Sequence, residues 1–317
     1  MDSGEPVGTT ATVGNALRAA LPDVAPTGPA QRLPRGYGSE SWRVATEAGL
    51  VLVKIAVRWP TCERLPNAAE AARLAAACGV RTPQVLAIAD RFPDFGGRSY
   101  SVWEYLDGED AGDALDTMDE RAVEGYFELL GSALGRLHQC VAPHYSRTVT
   151  SSQGQRTLTE AVAARLNVLE ARYIDVGLRF DNHAREASRR VAALVADVSP
   201  ESAPVLVHGD LYPDNLLVGL DGSPVLLDFE LGSFADAGFE FFKPTVFIFE
   251  RYRPARAALL AAYSTAGATP DLDRRIEAAL GLGLLWGIPF FHRWKDDDVS
   301  ALFASRLSEW LERAASS

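Results

Sequence analysis

The sequence predicts an α+β protein: a small, mostly antiparallel sheet with one helix, followed by a mainly helical remainder. Three observations carry this expectation. Between Gln31 and Val57 three apolar runs alternate with turns, at Arg35-Gly36-Tyr37-Gly38-Ser39-Glu40-Ser41 and at Glu47-Ala48-Gly49. Beyond Leu106-Asp107-Gly108 apolar residues recur at helical spacing. One strand-rich island, residues 204–229, interrupts those helices. The shift in composition puts the domain boundary between residues 106 and 107, giving an N-terminal part, 1–106, and a C-terminal part, 107–317.

The elements follow in order. Residues 1–30 read as a loose terminus with room for a short helix over 15–21. The run Leu50 to Val57 is β-branched with a single charge, Lys54, inside it. A helix over 67–78 ends at Gly79, with Pro83 beyond. Strands over 84–89 and 98–105 complete the sheet. Helices are expected over 119–139, 157–175, 182–198, 254–266, 272–286 and 299–314.

Composition narrows the function. Lys and Arg number 31 against 42 Asp and Glu, a net charge of −11, which argues against nucleic acid or an anionic membrane as partner. It is compatible with a cationic small substrate. Cys62, Cys78 and Cys140 form no CxxC pair and suit a reducing cytoplasm. No basic region followed by an apolar core opens the chain, and the apolar stretch 278–291 is too short to span a bilayer and holds Gly and Pro.

The strongest local signal is Leu206-Val207-His208-Gly209-Asp210-Leu211-Tyr212-Pro213-Asp214-Asn215-Leu216-Leu217-Val218, with Val225-Leu226-Leu227-Asp228-Phe229-Glu230 after it. Two apolar strands flank a turn at Leu220-Asp221-Gly222-Ser223. Phosphoryl transfer needs one carboxylate to take the acceptor hydroxyl's proton and two oxygen ligands to hold Mg²⁺ on a triphosphate. Asp210 and Asn215 reproduce the spacing of a catalytic base and a metal-binding Asn, and Asp228 stands where the second metal ligand would stand.

These residues resemble the aminoglycoside phosphotransferase family of kinase-like enzymes, whose His-Gly-Asp-x-x-x-x-Asn loop is present as His208 to Asn215. The resemblance implies a bilobal protein-kinase-like fold with ATP or GTP bound between the lobes and Mg²⁺ held by Asn215 and Asp228. It implies that Lys54 contacts the α- and β-phosphates. Glu70, sixteen residues on, is the first candidate to orient Lys54; Glu63 is the rival. Gly38 and Ser39 resemble part of a shortened nucleotide-covering loop, and Trp103, Glu104 and Tyr105 the hinge that meets the base through backbone groups. His208 is expected to be scaffold rather than base. The absence of an Ala-Pro-Glu segment after Asp228-Phe229-Glu230 argues against a protein kinase.

In this family the acceptor lies between the catalytic loop and the C-terminal helices. The candidates here are Asp214, Glu230, Glu240, Glu250 and the aromatic-rich segment with Trp286, Phe290, His292 and Trp294; Arg165, Asp175 and Asp181 are candidate lid contacts. Trp286, Phe290 and Trp294 also fit the spacing of a helical core face. The expected function is phosphorylation of a small-molecule hydroxyl, first of an antibiotic. The alternatives are a metabolic kinase of the fructosamine, choline, homoserine, nucleoside or sugar type, and a non-catalytic kinase-fold binding module. A cytoplasmic monomer or homodimer is expected.

Overall fold

The computed structural model describes residues 6–34, 39–57, 64–199, 202–267 and 269–315. In chain order these form α1 Thr10–Ala20, β1 Gln31–Arg32, β2 Ser39–Thr46, β3 Gly49–Ala56, α2 Arg64–Ala77, β4 Val85–Phe92, β5 Arg98–Glu104, β6 Gly108–Asp110 and α3 Ala111–Thr117. Then come α4 Glu120–Leu137, α5 Leu158–Leu166, α6 Leu169–Asp175, α7 Asn182–Ala196, β7 Val205–Val207, β8 Leu216–Gly219, β9 Pro224–Leu226 and β10 Ser233–Ala235. The chain closes with α8 Phe242–Phe247, α9 Ala255–Ala266, α10 Leu272–Arg293 and α11 Asp297–Ala315. Contacts divide it into two compact units: residues 1–114 with 214–231, and residues 115–213 with 232–317.

The first unit is built on a five-stranded antiparallel sheet in the order β1-β2-β3-β5-β4. Its core joins Val44, Val53 and Val102 to Val13, Ala16 and Leu17 of α1, all fully buried. Among the described residues the segment from Thr10 to Ala20 is therefore packed rather than loose. Thr9 caps α1 through the Thr12 amide, and the buried Glu40 carboxylate accepts from the amides of Val7 (2.9 Å) and Gly8 (3.0 Å) and from Trp42 Nε1 (2.7 Å). The spacing of Val13, Ala16 and Leu17 is the helical signal in this stretch.

The β8–β9 hairpin belongs to this unit because it is pinned there. Leu226 donates to the Arg81 carbonyl (2.9 Å), the Arg81 guanidinium reaches Asp221 (2.8 Å), and Asn67 of α2 donates to the Glu230 carbonyl (3.3 Å). Strand β6 adds to the same hairpin through β8.

The second unit is helical, with one two-stranded ladder of β7 and β10. Its core centres on α10, where Leu282, Leu284 and Leu285 meet Val191 of α7 and Phe303, Leu307 and Trp310 of α11. Gly131 and Gly135 let α4 lie directly on α9, since a methyl group at either would run into Leu259 or Ala266. The span 157–175 divides into α5 and α6, with Thr157 and Glu160 forming a capping box. Helix α10 runs on past Trp286 and through Pro289 to Arg293. A proline there orphans the carbonyl four residues earlier; Leu285 supplies that carbonyl, and the buried Tyr173 hydroxyl donates to it at 3.1 Å. Among the described residues no helix is long and apolar enough to cross a membrane.

Candidate active site

In the first unit, β3 lies between β2 and β5, in register so that Ser41 and Ser101 flank Lys54 on one face. Lys54 Nζ lies 3.1 Å from Asp228 Oδ1. Burial drives its pKa down, but the charges of Asp228 and Glu230 and the Asp228 hydrogen bond outweigh that, and the net shift is upward. Lys54 therefore stays cationic, the state needed to hold phosphate. Glu70, the expected partner, pairs instead with Arg73 one turn away on α2, at 2.6 Å. Asp228 and Glu230 supply the negative field at Lys54, and Glu70 has a cation on its own helix.

Asp228 sits with φ 63°. That left-handed conformation is unusual for a residue with a side chain, and Asp tolerates it better than most. It ends the β9 ladder and turns the carboxylate to Lys54. Asn215 is buried at the other strand, and its carbonyl accepts from Leu227 N–H at 2.9 Å. The hairpin thus sets two hard oxygen donors on neighbouring backbone positions, a donor set that suits Mg²⁺.

In the second unit, Asp210 follows Gly209, whose φ of 76° glycine adopts without cost. His208 is fully buried, and its Nδ1 accepts from the Asp210 amide at 3.2 Å, so the imidazole shapes the loop. Glu240, expected at the acceptor, is buried beneath that loop: Oε2 accepts from His208 N–H (2.7 Å) and Oε1 from Gly209 N–H (3.4 Å). His138 Nε2 is 3.6 Å away, an ion-pair distance rather than a hydrogen bond. Burial pushes the Glu240 carboxyl up, but His138 and His208 outweigh it and bring it below its ordinary value. Glu240 is a brace for the loop. Lys243, not foreseen from sequence, puts its Nζ 2.9 Å from Asp210 Oδ1 and over the rings of Tyr212 (5.4 Å) and Phe247 (5.7 Å). A lone cation in the run Phe241-Phe242-Lys243-Pro244 was the available signal.

Ser39 opens β2 opposite Ala56; Gly38 and Glu63 lie outside the described residues. The Trp103 indole is buried and donates to Ser101 (2.7 Å), and the Glu104 amide donates to the Gln84 carbonyl (2.9 Å), so only Tyr105 of the three lies beyond the sheet. Asp214 is exposed and Glu230 half-buried. Glu250 is paired with Arg306. Phe290 is 38% exposed, His292 faces Asp297 at 3.0 Å, and Trp294 follows the end of α10.

Residues 29–278, a span that includes the loop from His208 to Asn215 and Asp228, match the phosphotransferase enzyme family APH. The chain belongs to this family. It is accordingly a phosphotransferase with the kinase-like fold. No curated protein matches the sequence. Among solved structures, a thermostable aminoglycoside phosphotransferase APH(4)-Ia variant bound to ADP and hygromycin B is 14% identical with a TM-score of 0.73, covering 95% of this chain and 98% of its own. APH(2")-IIIa with GDP and kanamycin is 15% identical, TM-score 0.65, covering 94% and 98%. A protein assigned as a fructosamine-3-kinase from Haemophilus somnus is 17% identical, TM-score 0.69, covering 96% and 98%. Antibiotic and sugar-amine kinases thus share this APH fold.

Proposed function

We propose that this APH-family enzyme transfers the γ-phosphoryl group of ATP or GTP to a hydroxyl of a small-molecule acceptor. The acceptor oxygen attacks the γ-phosphorus, its proton passes to Asp210, and the bond to the bridging oxygen breaks to release the nucleoside diphosphate. Lys54 exchanges Asp228 for the α- and β-phosphates as nucleotide enters. Asn215 and Asp228 would hold Mg²⁺, which neutralises triphosphate charge when bound. Lys243 fixes the orientation of the Asp210 carboxylate. The observation that carries the reading is that the loop His208–Asn215 keeps a half-buried carboxylate on a braced turn, while on the hairpin that follows the Asn215 carbonyl accepts from Leu227 N–H, the residue before Asp228.

An antibiotic hydroxyl is the first acceptor class, as in the hygromycin B and kanamycin complexes of the relatives. A metabolic hydroxy compound is the second, and one observation favours it: Glu240 and Glu250, carboxylates that would have met a cationic acceptor, are committed to the loop amides and to Arg306. The test is acceptor-dependent release of nucleoside diphosphate across hydroxylated antibiotics and metabolites. Turnover on one class assigns the acceptor; nucleotide binding with no turnover on any would point to a binding module instead.

A further inference from the structure

We propose that the second unit holds a recognition site for an anionic group of the acceptor, a carboxylate or phosphate, formed by Arg165 and Arg172 over the rings of Phe239 and Trp286, with the exposed Arg147 and Arg293 adding positive field. The Arg165 guanidinium lies over Phe239 at 4.8 Å and the Arg172 guanidinium over Trp286 at 3.8 Å. Both are half-buried. The charges that act on them are mostly of their own sign. Burial and then Arg147 bring Arg165 down to about 10; burial, Arg147 and Arg293 lower Arg172, with Asp175 the one acid pulling the other way. Among the described residues none of the four has a carboxylate at ion-pair distance.

Other arginines of this unit do reach an acid. Arg185, Arg251, Arg275 and Arg306 each pair with an acid, in a protein where acids outnumber Lys and Arg by 42 to 31. Arg147 and Arg293 are exposed and keep their water, but the half-buried Arg165 and Arg172 sit in a field of their own sign, which is unfavourable unless an anion joins them. The site also has a neutral donor to spare, since Trp286 Nε1 is buried without an acceptor. Every unsatisfied group there donates, so the missing partner is rich in acceptor oxygens, and planar guanidinium forks fit carboxylate and phosphate. The site also connects to the catalytic loop. Phe239 adjoins Glu240, which holds the His208 and Gly209 amides, and lies four residues before Lys243, which holds Asp210. Only the identification of the anion with the acceptor rests on the phosphotransferase reading.

The test is calorimetric titration of the full chain with citrate and, separately, with inorganic phosphate, each with and without saturating Mg²⁺–ADP, and with spermidine as a cationic control. At least one anion is expected to bind in the presence of ADP. R165Q and R172Q should each weaken it tenfold or more while thermal unfolding stays at or above that of wild type, because like-charge repulsion is relieved; R172K should retain most of the binding. The citrate and phosphate arms tell which anion is preferred. Silence in both arms, unchanged affinity in the variants, or binding abolished by ADP would overturn the proposal. Failure of the phosphotransferase reading would appear elsewhere, as Asp210 substitutions that leave turnover intact, with anion binding unaffected.

Discussion

Arg275 is fully buried and ion-paired with Asp236, and it also donates to the Pro270 carbonyl, the Ser199 carbonyl and the Ser202 hydroxyl, each at 2.8 Å. Asp236 caps the turn that carries Glu240, through Gly238 N–H at 3.0 Å. Arg275→Met would leave the Asp236 carboxylate buried with no cation, which costs about 3–5 kcal/mol. With ~2.1 cal/mol/K of unfolding entropy per residue and roughly 185 residues in the second unit, that is a fall in Tm of about 8–13 °C. Differential scanning calorimetry reads it directly. The double variant Asp236→Leu with Arg275→Met removes both charges and should recover most of the loss. A single variant within about 2 °C of wild type, or a double variant no better than the single, would refute the claim that the pair anchors this turn.

Further predictions concern the two halves of the site. Glu240→Gln should cost about 1–3 kcal/mol at neutral pH, since two loop amides lose a charged acceptor. Because the folded pKa of Glu240 is lowered, its stabilisation is complete above its ordinary value of 4.5 and is lost as pH falls through the folded value. Acid unfolding of the variant should therefore be less steep than that of wild type, which denaturant titrations at several pH values would show. Lys54→Met should lower kcat/KM for nucleotide by about 10–150-fold, the worth of a charged hydrogen bond to phosphate, with little change in Tm. Lys243→Met should lower kcat by about tenfold with nucleotide KM unchanged, which steady-state kinetics would separate.

Much of the architecture was legible because local chemistry and tertiary structure agree. The meander around Lys54, the capping residues Asp119 and Thr157 and the apolar strands about Asp221-Gly222 all sit where their patterns put them. The misses share a cause, in that each depended on a partner distant in sequence. The helical spacing gives 272–286 for α10, yet the helix continues through Pro289 because Tyr173, more than a hundred residues earlier, takes up the orphaned carbonyl. Glu70 looked like the partner of Lys54 by spacing, but the residue that reaches Lys54 comes from the hairpin. Glu240 is a candidate acceptor contact by sequence and is buried beneath the loop. The overall charge of −11 is compatible with a cationic ligand, while Arg165 and Arg172 in the second unit feel arginines on separate segments. Net charge describes the whole surface and says little about any one pocket.

The central claim is that Asp210 takes the acceptor's proton. Asp210→Asn keeps the shape of the side chain and removes its basicity. Acceptor-dependent nucleoside diphosphate release, measured beside nucleotide affinity on the same preparation, should fall by about 10²–10⁴-fold while nucleotide affinity changes little. Turnover within a few-fold of wild type would contradict the account.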